Sequence, residues 1–230
     1  MYLSVIVPYY NEKTYISDSL RKINNFFKNK FEFEIILVDD SGNKDFKNNF
    51  FDSKINNLKI IENNKNFGKG YSLKKGINAS QGELILLTDA DLSTPIKDFE
   101  KLHSFYKDGY SIVIGSRNVL NSDIKKERPL KRKIVGRLFN ILLKLILKLN
   151  YNDTQCGFKL FNSKIIKKII RNSFVNRFCI DPELLYIATK EKLKVKEVGI
   201  EWSDTYDSSV DLKKDIINMF FDLIKIRLKH

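Results

Sequence analysis

Five short apolar runs, at residues 3–7, 33–38, 58–61, 84–87 and 111–115, recur through the first half of the chain with helix-length segments between them. Short runs rich in Val, Ile and Leu read as strands buried on both faces. Such strands alternating with helices build β-α-β units around a mainly parallel sheet. The expected fold class is therefore α/β, a Rossmann-like mixed, mainly parallel sheet flanked by helices. Ligands of such sheets bind beyond the carboxyl ends of the strands. Polar clusters stand at those ends, at residues 8–12, 39–42, 88–93 and 116–117, so one shared crevice is expected.

The character of the chain changes after residue 128. Helices are expected near 130–149, 163–171, 182–192 and 212–228, and residues 121–128, polar and without apolar periodicity, read as a mobile loop. No repeat or low-complexity linker separates the halves. A length of 230 residues suits a single domain, with residues 1–117 carrying the crevice and 118–230 adding amphipathic helices.

Composition narrows the partners. The 41 Lys and Arg against 28 Asp and Glu leave a formal charge of +13, which favours a nucleotide, a lipid phosphate, a membrane surface or nucleic acid. The most concentrated basic stretch, residues 130–149 (LKRKIVGRLFNILLKLILKL), lies on an apolar helix. Nucleic-acid grooves instead interleave cations with exposed aromatics, so that class is disfavoured. A helix of this kind lies in a membrane interface with its lysines snorkelling, or packs in the core with its lysines in water; residues 212–230 have the same character. No uninterrupted apolar run approaches the length of a spanning helix, and no signal peptide is apparent. Cys156 and Cys179 make neither a disulfide framework nor a metal-ligand spacing. A cytoplasmic protein at a membrane surface is expected, with the sequons at Asn78 and Asn152 unglycosylated.

Four stretches carry the chemistry. Asp89-Ala90-Asp91 follows a strand, so two carboxylates emerge together as hard oxygen ligands suited to magnesium or manganese bridging a diphosphate. The bland alternative is a solvated loop or a cap for the next helix. Residues 5–12 (VIVPYYNE) deliver Tyr9, Asn11 and Glu12 to the crevice. Residues 35–42 (IILVDDSG) bring Asp39 and Asp40, as ligand carboxylates or as an Asp-rich turn. Residues 66–76 (NFGKGYSLKKG) place glycines and Lys69 at a helix start, where amide groups and a cation approach phosphate or ribose. The spacing is not that of a Walker loop.

In this order the stretches resemble the family 2 glycosyltransferases of the GT-A fold. The likeness continues through Gly115-Ser116-Arg117, residues 153–161 (DTQCGFKLF), residues 181–185 (DPELL) and residues 197–202. It is most similar to the dolichyl- and polyprenyl-phosphate β-glucosyltransferase branch. The resemblance implies an inverting, metal-dependent hexosyltransferase with magnesium or manganese on Asp89 and Asp91. The donor implied is UDP-glucose, with GDP-mannose as the alternative, and the acceptor is a polyprenyl phosphate at the cytosolic membrane face. A glycan, glycolipid or other alcohol acceptor is the competing reading.

By the same resemblance Pro8, Tyr9, Glu12 and Asp40 hold the base and ribose with Asp39 beside them. Lys69 meets ribose or phosphate, and Asp89 and Ala90 lie on the donor side. Arg117, Arg128 and Arg132 face the acceptor phosphate, while Asp153, Gln155 and Asp181 form the acceptor rim. The groups implied in catalysis are Asp91, Arg117, Arg132, Asp153 and Asp181. A phosphate acceptor needs positioning arginines and no strong base; an alcohol acceptor needs Asp153 or Asp181 as base. Each aspartate also has a cap or turn reading, stronger for Asp181 because Pro182 follows it. Three departures from the branch are expected to matter. Many lipid-phosphate transferases carry transmembrane anchors, and none is visible in this sequence. Tyr71 replaces a small residue and is expected to narrow the donor pocket, and Asp207-Ser208-Ser209 stands where a phosphate-binding lysine is usual.

Overall fold

The computed structural model describes residues 1–11, 13–43, 55–127, 129–205 and 212–230, without the side chains of 13, 14, 131, 132 and 212–215. Strands β1 (Leu3–Tyr9), β2 (Phe33–Asp39), β3 (Leu58–Glu62), β4 (Leu84–Leu87), β5 (Ile112–Ser116), β7 (Lys159–Asn162) and β8 (Val195–Gly199) form one sheet in the order β3-β2-β1-β4-β7-β5-β8. β2 and β5 are buried along their whole length and β1 at all but one residue, which is why their apolar runs are nearly continuous. Every pairing is parallel except those of β7, which runs antiparallel between β4 and β5. A strand from the second half of the chain thus lies inside the sheet begun by the first half.

Helices cover both faces. Successive residues of β1 point to opposite sides. Leu3, Val5 and Val7 join the core under α1 (Lys13–Phe27) and α3 (Phe99–Lys107), whereas Ile6 joins that under α2 (Lys69–Ala79), α4 (Leu130–Leu147), α5 (Ser163–Asn172), α6 (Ile180–Lys190) and α7 (Leu212–Lys229). α1 forms its stripe from Ile16, Leu20, Ile23 and Phe27, all fully buried and at helical spacing. The winding reverses at β1, which has β2 on one side and β4 on the other. A parallel sheet binds its ligands at such a switch point, and Tyr9 and Asp89 emerge there.

Two expectations are corrected. Residues 121–128 are not a loop throughout: β6 (Asp123–Lys126) pairs in parallel with β9 (Glu201–Ser203) in a two-stranded ribbon. Its side chains are mostly exposed, so it carries no apolar alternation to read. Asp181 is not a helix cap, because α6 begins at Ile180 with Cys179 in the cap position. Pro182 still falls in the first turn, where a missing N–H costs nothing.

Candidate active site

The crevice is a cavity of about 500 Å3 whose walls include Pro8, Tyr9, Asp40, Lys69, Asp89, Ala90, Asp91, Gln155 and Asp181. Most of the crevice residues expected from the sequence are therefore together. Glu12, Arg128 and residues 207–209 lie outside the described residues, as does the side chain of Arg132.

Each strand end sets its side chain by a local device. After β2 the two aspartates part company. Asp39 is fully buried, accepts hydrogen bonds from the Ser41 amide (2.8 Å) and hydroxyl (3.0 Å), and does not line the cavity. Its carboxyl is raised above its usual range by burial, against the Ser41 bonds. The expectation that Asp39 meets the ligand is corrected: it builds the turn. Asp40 does line the cavity, yet it accepts from Asn63 Nδ2 (2.8 Å) and from the amides of Phe67 (3.0 Å) and Gly68 (2.7 Å). The Asp40 carboxylate thus clamps the glycine loop onto the sheet.

Gly68 precedes α2 with φ +100°, and a Cβ there would stand 2.5 Å from the Asn176 carbonyl oxygen. Only glycine fits, by conformation and by space. Tyr71 stacks on Phe67 at 4.5 Å between ring centroids and is not part of the cavity wall. It does not narrow the pocket, because the first turn of α2 points it to the other side.

Beyond β4 the chain turns through Leu92 at φ +47°. Asp91 accepts from the Ser93 amide (2.9 Å), the Ser93 hydroxyl (2.6 Å) and the Thr205 hydroxyl (2.9 Å). Asp89 is paired with Lys69, whose Nζ lies 2.6 Å from Oδ1, and its side chain remains 40% exposed. Burial opposes its charge, but the ammonium of Lys69, with Lys159 and Arg117 beyond, holds the carboxyl below its ordinary range. Gly157 backs this carboxylate closely: a Cβ there would come 2.2 Å from Oδ2.

At the far rim Arg117 donates to Asp153 through Nε (2.5 Å) and Nη2 (2.7 Å), and its amide donates to the same carboxylate at 3.0 Å. Burial opposes the charge of Asp153, and Arg117 overcomes it, so its carboxyl is lowered. The guanidinium also lies over the Trp202 ring. Asp153 caps its own turn by accepting from the Gln155 amide at 3.2 Å. Asp181 is bound to Lys159 Nζ at 2.5 Å. Neither carboxylate stands free at the rim.

Two residues escaped the sequence reading. Lys159 is fully buried and donates to both Asp181 and the Cys156 carbonyl; a lysine inside the apolar run Phe158-Lys159-Leu160-Phe161 was the signal. Glu197 accepts from the amides of Asn152 (3.0 Å) and Asp153 (2.7 Å) and so holds the loop carrying Asp153. Its position in the quoted stretch 197–202 gave no hint of that partner.

A second cavity of about 610 Å3 adjoins the first and shares Arg117, Gly136, Phe139, Gln155 and Trp202 with it. Its remaining wall mixes cations (Lys133, Arg137, Lys144) with Glu127, Asp153 and apolar Ile124 and Ile141. Lys133 is paired with Glu127 at 2.8 Å and Asp153 with Arg117, which among the described residues leaves Arg137 and Lys144 as the cations without a carboxylate partner in that wall. One compartment thus offers carboxylates, a lysine and a helix start, and its neighbour offers cations on an apolar wall. That pairing suits a phosphate-bearing donor beside an amphipathic anionic acceptor.

Comparison with known proteins agrees. The Glycosyl transferase family 2 model matches residues 4–170. The dolichyl-phosphate beta-glucosyltransferase of Dictyostelium discoideum is 34% identical over 246 residues, covering 100% of this chain and 75% of that protein. The Homo sapiens protein of that name is 32% identical over 99% of this chain and 75% of its own length. Among solved structures, glucosyl-3-phosphoglycerate synthase from Mycobacterium tuberculosis, in complex with Mn2+, UDP-glucose and phosphoglyceric acid, superposes with a TM-score of 0.69 at 17% identity over 99% of this chain and 78% of that one. Mannosyl-3-phosphoglycerate synthase from Rubrobacter xylanophilus gives 0.71 at 13% identity, over 100% of this chain and 73% of its own. The fold is thus that of GT-A glycosyltransferases, and the chain belongs to glycosyl transferase family 2.

Proposed function

We propose that this protein transfers a glucosyl residue from UDP-glucose to the phosphate of a dolichyl or other polyprenyl lipid, with inversion, at the cytosolic face of a membrane. The observation that carries the reading is the junction of the two cavities at Arg117, Gln155 and Trp202. A relative 34% identical carries the name of that reaction, and a structural neighbour holds UDP-glucose with Mn2+.

In this reading residues 1–117 bind the donor and 118–230 complete the acceptor side of one domain. Pro8, Tyr9, Glu12 and Asp40 surround the nucleoside, and Lys69 with the start of α2 faces the diphosphate. A phosphate monoester oxygen is already anionic near neutral pH. It attacks the anomeric carbon opposite the diphosphate, a new C–O bond forms, and the old one breaks with its electron pair left on the diphosphate oxygen. No proton need move. This agrees with the state of Asp153 and Asp181, both already bound to cations and therefore poorly placed to deprotonate an alcohol. Arg117, Arg128 and Arg132, with Gln155, orient the acceptor. Because Arg117 is already engaged by Asp153, Arg137 and Lys144 on the second cavity's wall add the charge that meets the phosphate.

The residues fit a divalent cation. Asp89 is ionised and partly exposed, Asp91 stands one residue on, and among the described residues no cluster of three or more metal-binding side chains exists. Two carboxylates would hold magnesium or manganese, with diphosphate oxygens and water completing the shell, the usual arrangement for such ions on phosphate substrates. When bound, the ion neutralises charge on the departing diphosphate.

Gly157 gives a selective test of this geometry. Gly157→Ala should push the Asp89 carboxylate aside and lower kcat/KM by about a hundredfold, the scale expected for displacing a reacting group by an ångström, while the thermal midpoint stays near wild type. Unchanged turnover in this variant would mean that the position of Asp89 does not matter.

The exposed apolar faces of α4 and α7 support membrane attachment in this reading. Ile134, Leu138, Ile141 and Leu145 are all exposed, at helical spacing along α4, and Ile217, Phe220, Phe221 and Leu228 are exposed on α7, with basic residues among them. No helix among the described residues is long and apolar enough to cross a membrane, so these faces would lie in the interface. One experiment tests acceptor and location together: UDP-glucose labelled in the sugar is given to the protein with sedimentable vesicles carrying either dolichyl phosphate or dolichol. Protein should pellet with both kinds of vesicle, and a labelled phosphodiester should form with the first lipid only. Label on dolichol, or protein left in the supernatant, would count against the reading.

A further inference from the structure

Lys69 is placed where a cation on Asp89 would have to go. Its Nζ contacts Oδ1 at 2.6 Å, while among the described residues Asp91 is paired with no cation and is held only by Ser93 and Thr205. The backbone beneath Lys69 is fixed. Asp40 grips the Gly68 amide at 2.7 Å, and the Asn176 carbonyl oxygen accepts from the Tyr71 amide at 3.0 Å. Only the lysine's flexible stem is free to swing. An ammonium is a compact charge whose donors re-aim easily. Asp181, whose charge also acts on Lys69, is already bound to Lys159, so the anion that would draw the ammonium off Asp89 is the diphosphate of a bound nucleotide.

We propose that Lys69 is a latch: in the free protein it occupies the cation's place on Asp89, and it releases that carboxylate when a nucleoside diphosphate arrives to take the ammonium. The site then admits a divalent ion only together with the nucleotide. With Lys69 in place its ammonium sits on Asp89 Oδ1 and cuts the charge of the carboxylate pair from two negative to one, so a bare divalent ion is attracted less strongly and has to displace the ammonium from the oxygen it needs. With the ammonium on phosphate, Asp89 is released to act with Asp91 and the diphosphate on a divalent ion. Lys69 is thereby a positioning residue as well as a contact for the donor. This inference rests on the donor reading above, that the crevice takes a nucleoside diphosphate.

The two are separable by calorimetric titration of wild type, Lys69→Met, Lys69→Gln and Lys69→Arg with MnCl2 alone, with UDP alone, and with MnCl2 in the presence of UDP. Wild type should bind manganese weakly alone and much more tightly with UDP, and by linkage manganese should tighten UDP by the same factor. Lys69→Met and Lys69→Gln should bind manganese alone about tenfold more tightly than wild type, with the coupling between manganese and UDP reduced by a similar factor, within the usual span of such couplings. Lys69→Arg keeps a cation on Asp89 and should bind manganese alone as weakly as wild type, an outcome that general loosening of the site would not give. Two neutral variants guard against one that misfolds. Manganese binding alone that is unchanged or weaker in the neutral variants overturns the latch. UDP that fails to bind wild type with or without manganese sinks the donor reading instead, and the manganese-only comparison still decides whether Lys69 competes for Asp89.

Discussion

Asp91→Ala is expected to lower kcat/KM by about a thousandfold, which corresponds to about 4 kcal/mol of transition-state stabilisation. A carboxylate that helps hold a cation against a departing diphosphate acts mainly as charge develops there. Asp91 also fixes the turn after β4 to Ser93 and to Thr205 beyond β9, so alanine removes a structural tie along with the charge. Asp91→Asn separates the two. It keeps one oxygen, which can accept either from the Ser93 amide or from the Ser93 and Thr205 hydroxyls but not from both sets, and it carries no charge. Its loss of turnover should match that of alanine with a thermal midpoint closer to wild type. UDP affinity should fall in both variants when manganese is present and change little without it. An asparagine variant with near wild-type turnover, or undiminished UDP affinity in manganese, would remove Asp91 from the cation site.

The parallel strands were legible because burial on both faces forces apolar continuity. Residues 3–7, 33–38, 58–61, 84–87 and 111–115 each fall on an observed strand to within two residues. The strands that escaped were those lacking this constraint. β6 has one neighbour and a single apolar residue, Ile124, among charged ones, and β8 is only partly buried over its first three residues. β7 is short and opens on a charge, Lys159, whose partner Asp181 lies on α6. The same division holds in the crevice. Lys69, Asp89 and Asp91 could be placed from local order alone, since each follows directly on a strand or glycine turn. What a side chain does once there depends on partners distant in sequence. Asp39 faces its own turn, Arg117 finds Asp153, and Asp40 grips the loop before α2. Those pairings are set by how loops meet across the sheet, which no spacing within one loop encodes.

The most destabilising single change expected is Lys159→Met. The ammonium is wholly buried, at 0% exposure, and donates to the Asp181 carboxylate and the Cys156 carbonyl. Lys159 enters from β7, opposite Leu87 of β4 and Ile114 of β5, so apolar strands flank its stem on both sides. Removing one member of a buried ion pair leaves the other's charge uncompensated and costs about 3–5 kcal/mol. Urea unfolding should report an unfolding free energy lowered by that amount, seen as a lower midpoint with an unchanged slope. Replacing both partners, as Lys159→Met with Asp181→Leu, removes the orphaned charge and should recover most of the stability, because well-packed apolar pairs often match buried ion pairs. Turnover should not recover with it. Asp181 borders the donor cavity, and its charge acts on Lys69, so the double variant is expected to be folded and impaired. A Lys159→Met variant within about 1 kcal/mol of wild type would instead mean that water or a shifted backbone reaches Asp181, and that the charge under the crevice floor is not held by this pair.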